Sequence, residues 1–133
     1  MPQANFEAEC DRLSHVVDGA LFARLRWERN EGPMIAHLVE LAQGAIAERS
    51  EFEFTEEGAT ADIKRFVLKV HSKRVIAVTL RLQERQAVIA AEPIDRSNYH
   101  LMPGDPIITD FIAADEQWMN EALVQLFARV QPL

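Results

Sequence analysis

The run from Ile63 to Ile94 constrains the fold more than any other part of this sequence, because it is the longest stretch of β-branched and aliphatic residues. Apolar and polar residues alternate along it with a period of two, and residues two apart in a β-strand share one face. The alternation predicts three consecutive strands, the first at about 60–71. A shorter strand precedes them, in which Phe52 and Phe54 share a face, so that four strands form an antiparallel meander.

The apolar faces predict how these strands pair. For Phe66 and Val78 to lie side by side on one face, the numbers of paired residues must have an even sum. A three-residue connection that pairs His71 with Val75 meets this condition, and it would consist of residues 72–74.

Two further connections follow from the same argument. Leu80 should lie opposite Ile89, with a four-residue loop around Glu84 and Arg85, because neither of these residues favours a positive φ. The sequence Glu-Glu-Gly at 56–58 suits a short hairpin loop in which the glycine takes the positive φ.

Helical periodicity flanks the strands on both sides. Residues 4–18 carry apolar side chains at every third or fourth position, and residues 34–49 do so after Pro33, which suits a first helical turn. Asp115 is placed to cap a final helix. The segment 20–29 fits either a strand or a helix, and its Ala, Leu and Arg content slightly favours the helix.

These elements predict an α+β fold with two N-terminal helices, a four-stranded antiparallel meander sheet and a C-terminal helix. With 133 residues and no linker-like segment, the chain 1–133 is expected to form a single domain. Residues 107–112 leave two alternatives open, a short further strand or a segment that packs into the core.

The charge and the cysteine content narrow the functional classes. A formal net charge of −7 argues against general binding of nucleic acid, which depends on the neutralisation of phosphates. The apolar stretches are too short to cross a membrane, and the start of the sequence does not resemble a signal peptide. The single cysteine cannot form an internal disulfide. A soluble, cytoplasmic protein is therefore expected.

Catalytic and cofactor motifs are absent from the sequence. The five glycines do not form a phosphate-binding loop, there is no G-x-S-x-G motif, and the four histidines lack metal-ligand spacing. No cofactor and no metal are predicted, and whether the protein is an enzyme stays open.

The segment 94–106 is a long polar loop, and loops of this kind often carry binding residues. The predicted ligand-binding residues in it are Asp95, Arg96, Tyr99 and His100. His100 would serve as a general base if Asp95 or Asp110 oriented it. The alternative is a loop whose Asp, Ser and Asn side chains only hydrogen-bond the backbone of the loop itself.

The segment from Ile63 to Arg85 is basic inside an acidic chain, with seven Lys and Arg residues against one acid, Glu84. This local charge of +6 predicts a docking surface for an anionic partner. The alternative is that Glu51, Glu53 and neighbouring acids pair with these cations across the sheet.

The face of the sheet opposite the predicted core is half apolar. Its small or apolar residues are Val67, Val75, Ala77, Thr79, Val88 and Ala90. A sheet face in water alternates more cleanly, so the C-terminal helix, a loop or a second copy of the chain is expected to cover this one. If a second copy covers it, a charged residue at Val67 or Val88 should release folded monomers.

Three single residues are candidates for the core rather than for chemistry. Cys10 lies on the apolar stripe of the first helix and Trp118 on that of the last, so both are expected to be buried. Trp27 lies beside charged residues near a break in the pattern. Core packing is expected for it as well, and the alternative is an exposed interface anchor.

These features favour a small protein-interaction or regulatory module, which is expected to form a homodimer or to bind another protein. The alternative is a small-molecule-binding α+β domain, enzymatic or not, with its pocket under the 94–106 loop. A third class is compatible with the size and charge of the chain. It is an inhibitor that masks a basic partner with Glu51, Glu53, Glu56 and Glu57.

Overall fold

A computed structural model describes residues 2–60 and 62–133 of the chain. The described residues divide into two compact units, one that ends at Met34 and one that comprises Ile35–Leu133. The single domain expected from the sequence stays a prediction. Helices and an antiparallel sheet give the α+β fold that the sequence predicts.

The first unit is a pair of helices. Helix α1 is Pro2–Val17 and helix α2 is Gly19–Asn30. Asp18 separates them, because its backbone is extended and its carboxylate accepts a hydrogen bond from the amide of Leu21 at 3.0 Å. This bond caps the N-terminus of α2. Residues 20–29 are therefore helical, and the alternative of a strand at this position is wrong.

Helix α3, Gly32–Ile46, and helix α4, Glu116–Ala128, supply buried residues to the second unit. Both begin as the sequence predicts. Pro33 lies in the first turn of α3, and Asp115 caps α4 by accepting a hydrogen bond from the amide of Trp118 at 2.8 Å. The buried residues are Ile35, Leu38, Ala42 and Ile46 in α3 and Met119, Ala122, Leu123 and Leu126 in α4.

Five strands of the described residues form one antiparallel sheet, the main sheet. In chain order the strands are β1 (Phe52–Glu56), β2 (Ile63–Val70), β3 (Lys73–Gln83), β4 (Gln86–Glu92), β5 (Tyr99–Leu101), β6 (Ile107–Asp110) and β7 (Val130–Pro132). The order in the main sheet is β1-β2-β3-β4-β6, and β5 pairs with β7 in a separate sheet. The predicted meander is present, and β6 is the further strand that the sequence left open.

The predicted even sum for β2 and β3 and the predicted pair of Leu80 with Ile89 are confirmed. Phe66 pairs with Val78 and Leu80 pairs with Ile89, so β2, β3 and β4 direct their apolar residues to one face. Residues of α3 and α4 belong to the same buried cluster. Its buried members include Leu38, Ala42, Phe54, Phe66, Leu68, Ile76, Val78, Leu80, Ile89, Met119, Leu123 and Leu126.

The connection between β2 and β3 differs from the prediction. A bulge at Leu68 and Lys69 shifts the register, so the expected three-residue loop that pairs His71 with Val75 is wrong. His71 and Ser72 instead form a two-residue turn, with φ of 52° and 64°. Positive φ at both positions matches the twist of a tight β-hairpin, and the pairing of the flanking strands selects it although neither residue is glycine.

The connection between β3 and β4 is also shorter than predicted. Gln83 pairs with Gln86, so Glu84 and Arg85 form a two-residue turn instead of a four-residue loop. Glu84 has a φ of 59°, which costs a non-glycine residue about 1–2 kcal/mol that the flanking strand pairs offset. The connection between β1 and β2 is longer than the short loop expected, and Gly58 in it has the predicted positive φ, 76°.

The free edge of β1 is partly protected by neighbouring residues. The side chain of Gln43 in α3 donates a hydrogen bond to the carbonyl of Phe54 at 3.4 Å, and the amide of Phe52 donates one to the carbonyl of Arg49 at 3.0 Å. Free N–H and C=O groups on an edge strand can pair with another chain. These two bonds therefore make β1 a poor edge for the addition of a strand.

On the opposite face of the main sheet, part of the half-apolar surface is buried without a second copy of the chain. Val67 and Ala77 are 0% exposed and Val88 is 1% exposed within a single chain. Half-buried arginines border them, because Arg65 lies two residues from Val67 on the same strand and Arg81 pairs with Val88. Aliphatic stems of arginine cover apolar neighbours in this way. The expectation that a charge at Val67 or Val88 would release folded monomers is therefore wrong.

A charge at position 88 should unfold the second unit instead. Val88→Asp buries a carboxylate without a partner, and we expect it to lower the free energy of unfolding by at least about 3 kcal/mol. The matched control is Ile108→Asp, because Ile108 pairs with Val88 across the sheet but is 48% exposed. The control should cost less than about 1 kcal/mol. Urea unfolding checks both values, and equal losses would contradict the burial of this face.

Candidate interaction surface

The helices of the first unit bury almost none of their side chains. Every described side chain from Asn5 to Val17 in α1 is exposed, and α2 has no buried residue among those described. Phe22 and Trp27 are half-buried. The two helices thus lack the fully buried apolar stripe that α3 and α4 have.

Most of the exposed apolar residues of this unit line one groove between the two helices or continue its stripe along α1. This surface, the hairpin face, consists of Phe6, Cys10, Leu13, Val17, Leu21 and Leu25. Phe6 is 65%, Val17 77% and Leu25 47% exposed. A shallow groove open to solvent runs between the helices here, and its lining is mostly apolar, with Ser14 and Asp18 among its polar members.

The other side of the two helices has a different character. A second groove there is lined by the acidic Glu7 and Asp11 of α1 and by Arg26 and Arg29 of α2. Since Glu7 lies near the start of α1 and Arg29 near the end of α2, the helices run antiparallel as a hairpin. Acidic residues of α1 and arginines of α2 therefore line this groove, and Cys10 and Leu25 line both grooves.

The charges beside the hairpin face are balanced on each helix. Arg12 pairs with Glu9 on α1 at 2.9 Å, and Arg24 pairs with Glu28 on α2 at 3.2 Å. All four side chains are at least half exposed, so these ion pairs stabilise the helices only weakly. Each helix of the hairpin thus carries one internal ion pair on its surface.

The expectations for three single residues are corrected or refined by the structure. Cys10 is exposed, so its predicted burial is wrong. The periodicity that placed it on the apolar stripe is correct, but the stripe faces solvent. Trp118 is half-buried and packs against the core of the second unit, and Trp27 is half-buried in α2.

The predicted ligand-binding residues Asp95, Arg96, Tyr99 and His100 all lie at the surface. His100 is in β5 and pairs with Gln131 of β7. Among the described residues, no hydrogen bond joins the side chain of His100 to Asp95 or to Asp110. Arg96 has a positive φ of 65°. The structure therefore gathers the four residues in one short segment without enclosing them, and their role as a site stays a prediction.

Hydrogen bonds around this loop support its structural role. The hydroxyl of Ser97 donates to the carbonyl of Val75 at 2.7 Å and accepts from the amide of Tyr99 at 3.2 Å. Ser97 thereby ties the loop to β3 and starts β5. This is the behaviour of a loop that satisfies its own backbone, which was the alternative to a binding site.

The basic segment of the main sheet is partly neutralised by acids. Lys64 pairs with Glu56, Arg65 with Glu92, and Arg74 with Glu57. Cross-strand pairing of these cations was the alternative to a docking surface, and it holds for three of the seven. Glu56 and Glu57 are among the neighbouring acids expected to take part, whereas Glu51 pairs with Arg49 instead.

Other positions offer less for a functional site. An open groove in the second unit is lined by residues that include His37, Glu40, Glu48, Glu116 and Asn120. Among the described residues no group of three or more His, Cys, Asp or Glu side chains is arranged to hold a metal ion. No described helix is both long enough and apolar enough to span a membrane.

Comparisons with protein-family models, with curated proteins and with solved structures give no match to this chain. The hairpin face groups exposed apolar side chains of two helices along one groove, and it is the candidate interaction surface.

The ion pair between Glu57 and Arg74 predicts a pH dependence of stability. Arg74 donates hydrogen bonds of 2.8 and 3.1 Å to the two carboxylate oxygens, which lowers the pKa of Glu57 from its ordinary 4.5. The same pair, with a smaller contribution from Asp95, raises the pKa of Arg74. The stabilisation by Glu57 is therefore complete above about pH 4.5 and is lost as the pH falls through its lowered pKa.

Glu57→Gln should lower the melting temperature at pH 7, and the difference from the unmodified chain should vanish in acid. Thermal unfolding between pH 2 and pH 7 measures this. The control is Glu53→Gln, since Glu53 makes no ion pair among the described residues. A constant difference across the whole pH range would contradict the role of the ionised carboxylate.

Proposed function

We propose that this protein is a protein-interaction module that binds through the hairpin face of its first unit. The observation that carries the proposal is the exposure of a continuous apolar stripe on two helices that have no buried side chain among those described. Amphipathic helices gain most of their stability when such a stripe is buried against a partner surface.

The helices are short, so burial of their apolar stripe against a partner would supply much of their stability. Helix α2 has 12 residues, and isolated helices shorter than about 12–15 residues are marginal in water. The cap at Asp18 and the edge-to-face contact of His15 with Phe22, at 5.6 Å between ring centroids, hold the turn of the hairpin. These contacts fix the turn but bury little apolar surface, so a partner that covers Leu13, Val17 and Leu21 would stabilise both helices.

The chemistry of the hairpin face favours a macromolecular partner over a small molecule. A small-molecule pocket encloses its ligand and presents a few convergent polar groups. The groove on the hairpin face is shallow and open, and its apolar side chains come from both helices over several turns. Extended apolar surfaces with balanced charges at the rim are typical of helix-in-groove and helix-bundle contacts between proteins.

A photo-crosslinking amino acid at position 21, used in cells that express the full chain, tests this proposal. We expect discrete covalent adducts, because Leu21 lies in the middle of the proposed contact. The matched control carries the same amino acid at position 124, since Val124 is an exposed apolar residue of α4, 68% exposed. Mass spectrometry of the adducts identifies the protein that is attached.

Adducts at position 21 that exceed those at position 124 and have a defined mass would support the proposal, whether the attached protein is a second copy or another chain. A position 21 that gives no more adduct than position 124 would overturn it. A link from position 21 to the second unit of the same chain would also overturn it, since the hairpin face would then be an internal contact.

A further inference from the structure

We infer that the partner of the hairpin face is a second copy of this chain, with α1 packed antiparallel against the partner's α1 so that the two hairpins form a four-helix bundle. This inference rests on the proposed function, because it names the partner of the same surface. Four properties of the hairpin carry it: the spacing of the stripe, its shape, its charges and its size.

The spacing of the apolar stripe on α1 is the same when it is read from either end of the helix. Phe6, Cys10, Leu13 and Val17 are separated by steps of four, three and four residues. A two-fold interface uses the same patch on both copies and pairs residue i with residue j and j with i. When two α1 helices run antiparallel about the midpoint of the stripe, Phe6 lies over the partner's Val17 and Cys10 lies over the partner's Leu13. All four apolar side chains then meet apolar side chains.

The shape of the hairpin face is also self-complementary. Leu13, Val17 and Leu21 line the groove toward the turn of the hairpin. Phe6 lies outside this lining, at the other end of the stripe, and projects into solvent. Eleven residues of helix place the two ends about 16 Å apart. An antiparallel copy therefore brings each exposed phenyl ring to the groove of its partner, in the manner of a knob that enters a hole.

The charges on α1 distinguish antiparallel from parallel pairing. The midpoint between Glu9 and Arg12 lies one residue away from the midpoint of the apolar stripe on α1. In an antiparallel pair about the midpoint of the stripe, Arg12 lies at the level of the partner's Asp11 and Glu9 at the level of the partner's Ser14, so no carboxylate lies opposite a carboxylate. In a parallel pair, Glu9 would face the partner's Glu9. Opposite charges across a helical contact are favourable and like charges are unfavourable, so the charge pattern selects the antiparallel arrangement.

The exposed area suits a dimer of this kind. The side chains of the hairpin face offer on the order of 500 Å² of apolar surface per copy. A stable interface buries roughly 800 Å² per partner, and the stems of the flanking Glu9, Arg12, Arg24 and Glu28 lie where they would add to it. A two-fold bundle of four helices is a closed assembly, so it would leave no apolar stripe to recruit further copies.

Light scattering of the purified full chain tests whether the copies pair. We expect twice the chain mass of 15.1 kDa at micromolar concentrations, with little effect of salt because the contact is mainly apolar. Leu13→Glu places a charge on both sides of the contact, and we expect it to raise the dissociation constant at least about 100-fold and to give monomers. Val124→Glu, an equally polar change at an exposed residue of α4, should stay dimeric.

Disulfide trapping tests the antiparallel order. Phe6→Cys and Val17→Cys are each introduced into a chain that also carries Cys10→Ser. In the antiparallel dimer, equal positions lie about 16 Å apart, too far for a disulfide, whereas positions 6 and 17 of different copies are adjacent. Each variant alone should therefore stay reduced or unlinked under mild oxidation, and the mixture of the two should give a linked dimer.

The outcomes separate this inference from the proposed function. A chain that is monomeric at every concentration overturns the second-copy inference, while crosslinks from position 21 to a different protein would still support the interaction module. A dimer that survives both Leu13→Glu and a second variant, Leu25→Glu, has its contact elsewhere and also overturns the inference. Self-linking of Phe6→Cys alone would show a parallel order and overturn the antiparallel arrangement.

Discussion

The pairing of β2, β3 and β4 keeps the apolar residues of all three strands on one face of the main sheet. The core of the second unit depends on this alignment. Phe66 opposite Val78 and Leu80 opposite Ile89 place the apolar residues of three strands on one face, where α3 and α4 supply the other half of the core. A shift by one residue would turn these side chains to the opposite face. The strands are connected by tight turns with positive φ, and a bulge lies at Leu68 and Lys69. These features change the lengths of the connections and leave the apolar pairs intact.

The two faces of the main sheet carry different kinds of side chain, and central residues of both are buried. The core face is aliphatic and aromatic, whereas the other face mixes small apolar residues with arginines that pair with acids, such as Arg65 with Glu92. A sheet face covered in this way offers little apolar surface to a partner. The exposed apolar stripe of the chain is on the hairpin, whose helices have the periodicity of packed helices without a partner surface for their stripe.

Local sequence rules predicted the parts of this structure that local physics determines. The alternation at Phe66 and Val78 gave the strands and their faces, and capping chemistry placed Asp115 at the start of α4. The turns were missed because strand pairing, a long-range effect, imposes a positive φ on residues such as Glu84 that do not favour it. Asp18 was the available signal for α2, since an aspartate before an Ala- and Leu-rich run is typical of a helix N-cap.

Burial was the property that the sequence predicted least well. A helical stripe shows which residues share a face, but it does not show whether anything covers that face, so Cys10 was predicted to be buried and is exposed. The same limit applies to the loop with Asp95 and His100, where composition alone suggests a site and the structure adds hydrogen bonds of Ser97 to the backbone. An exposed stripe becomes informative only once the fold is known.

Hydrogen exchange of the backbone amides, measured as a function of protein concentration, tests the central claim most directly. If a second copy covers the hairpin face, the amides of α1 and α2 should become more protected as the concentration rises through the dissociation constant, while the amides of β3 keep constant protection. Protection of α1 and α2 that does not change with concentration would contradict the claim that a second copy stabilises the hairpin.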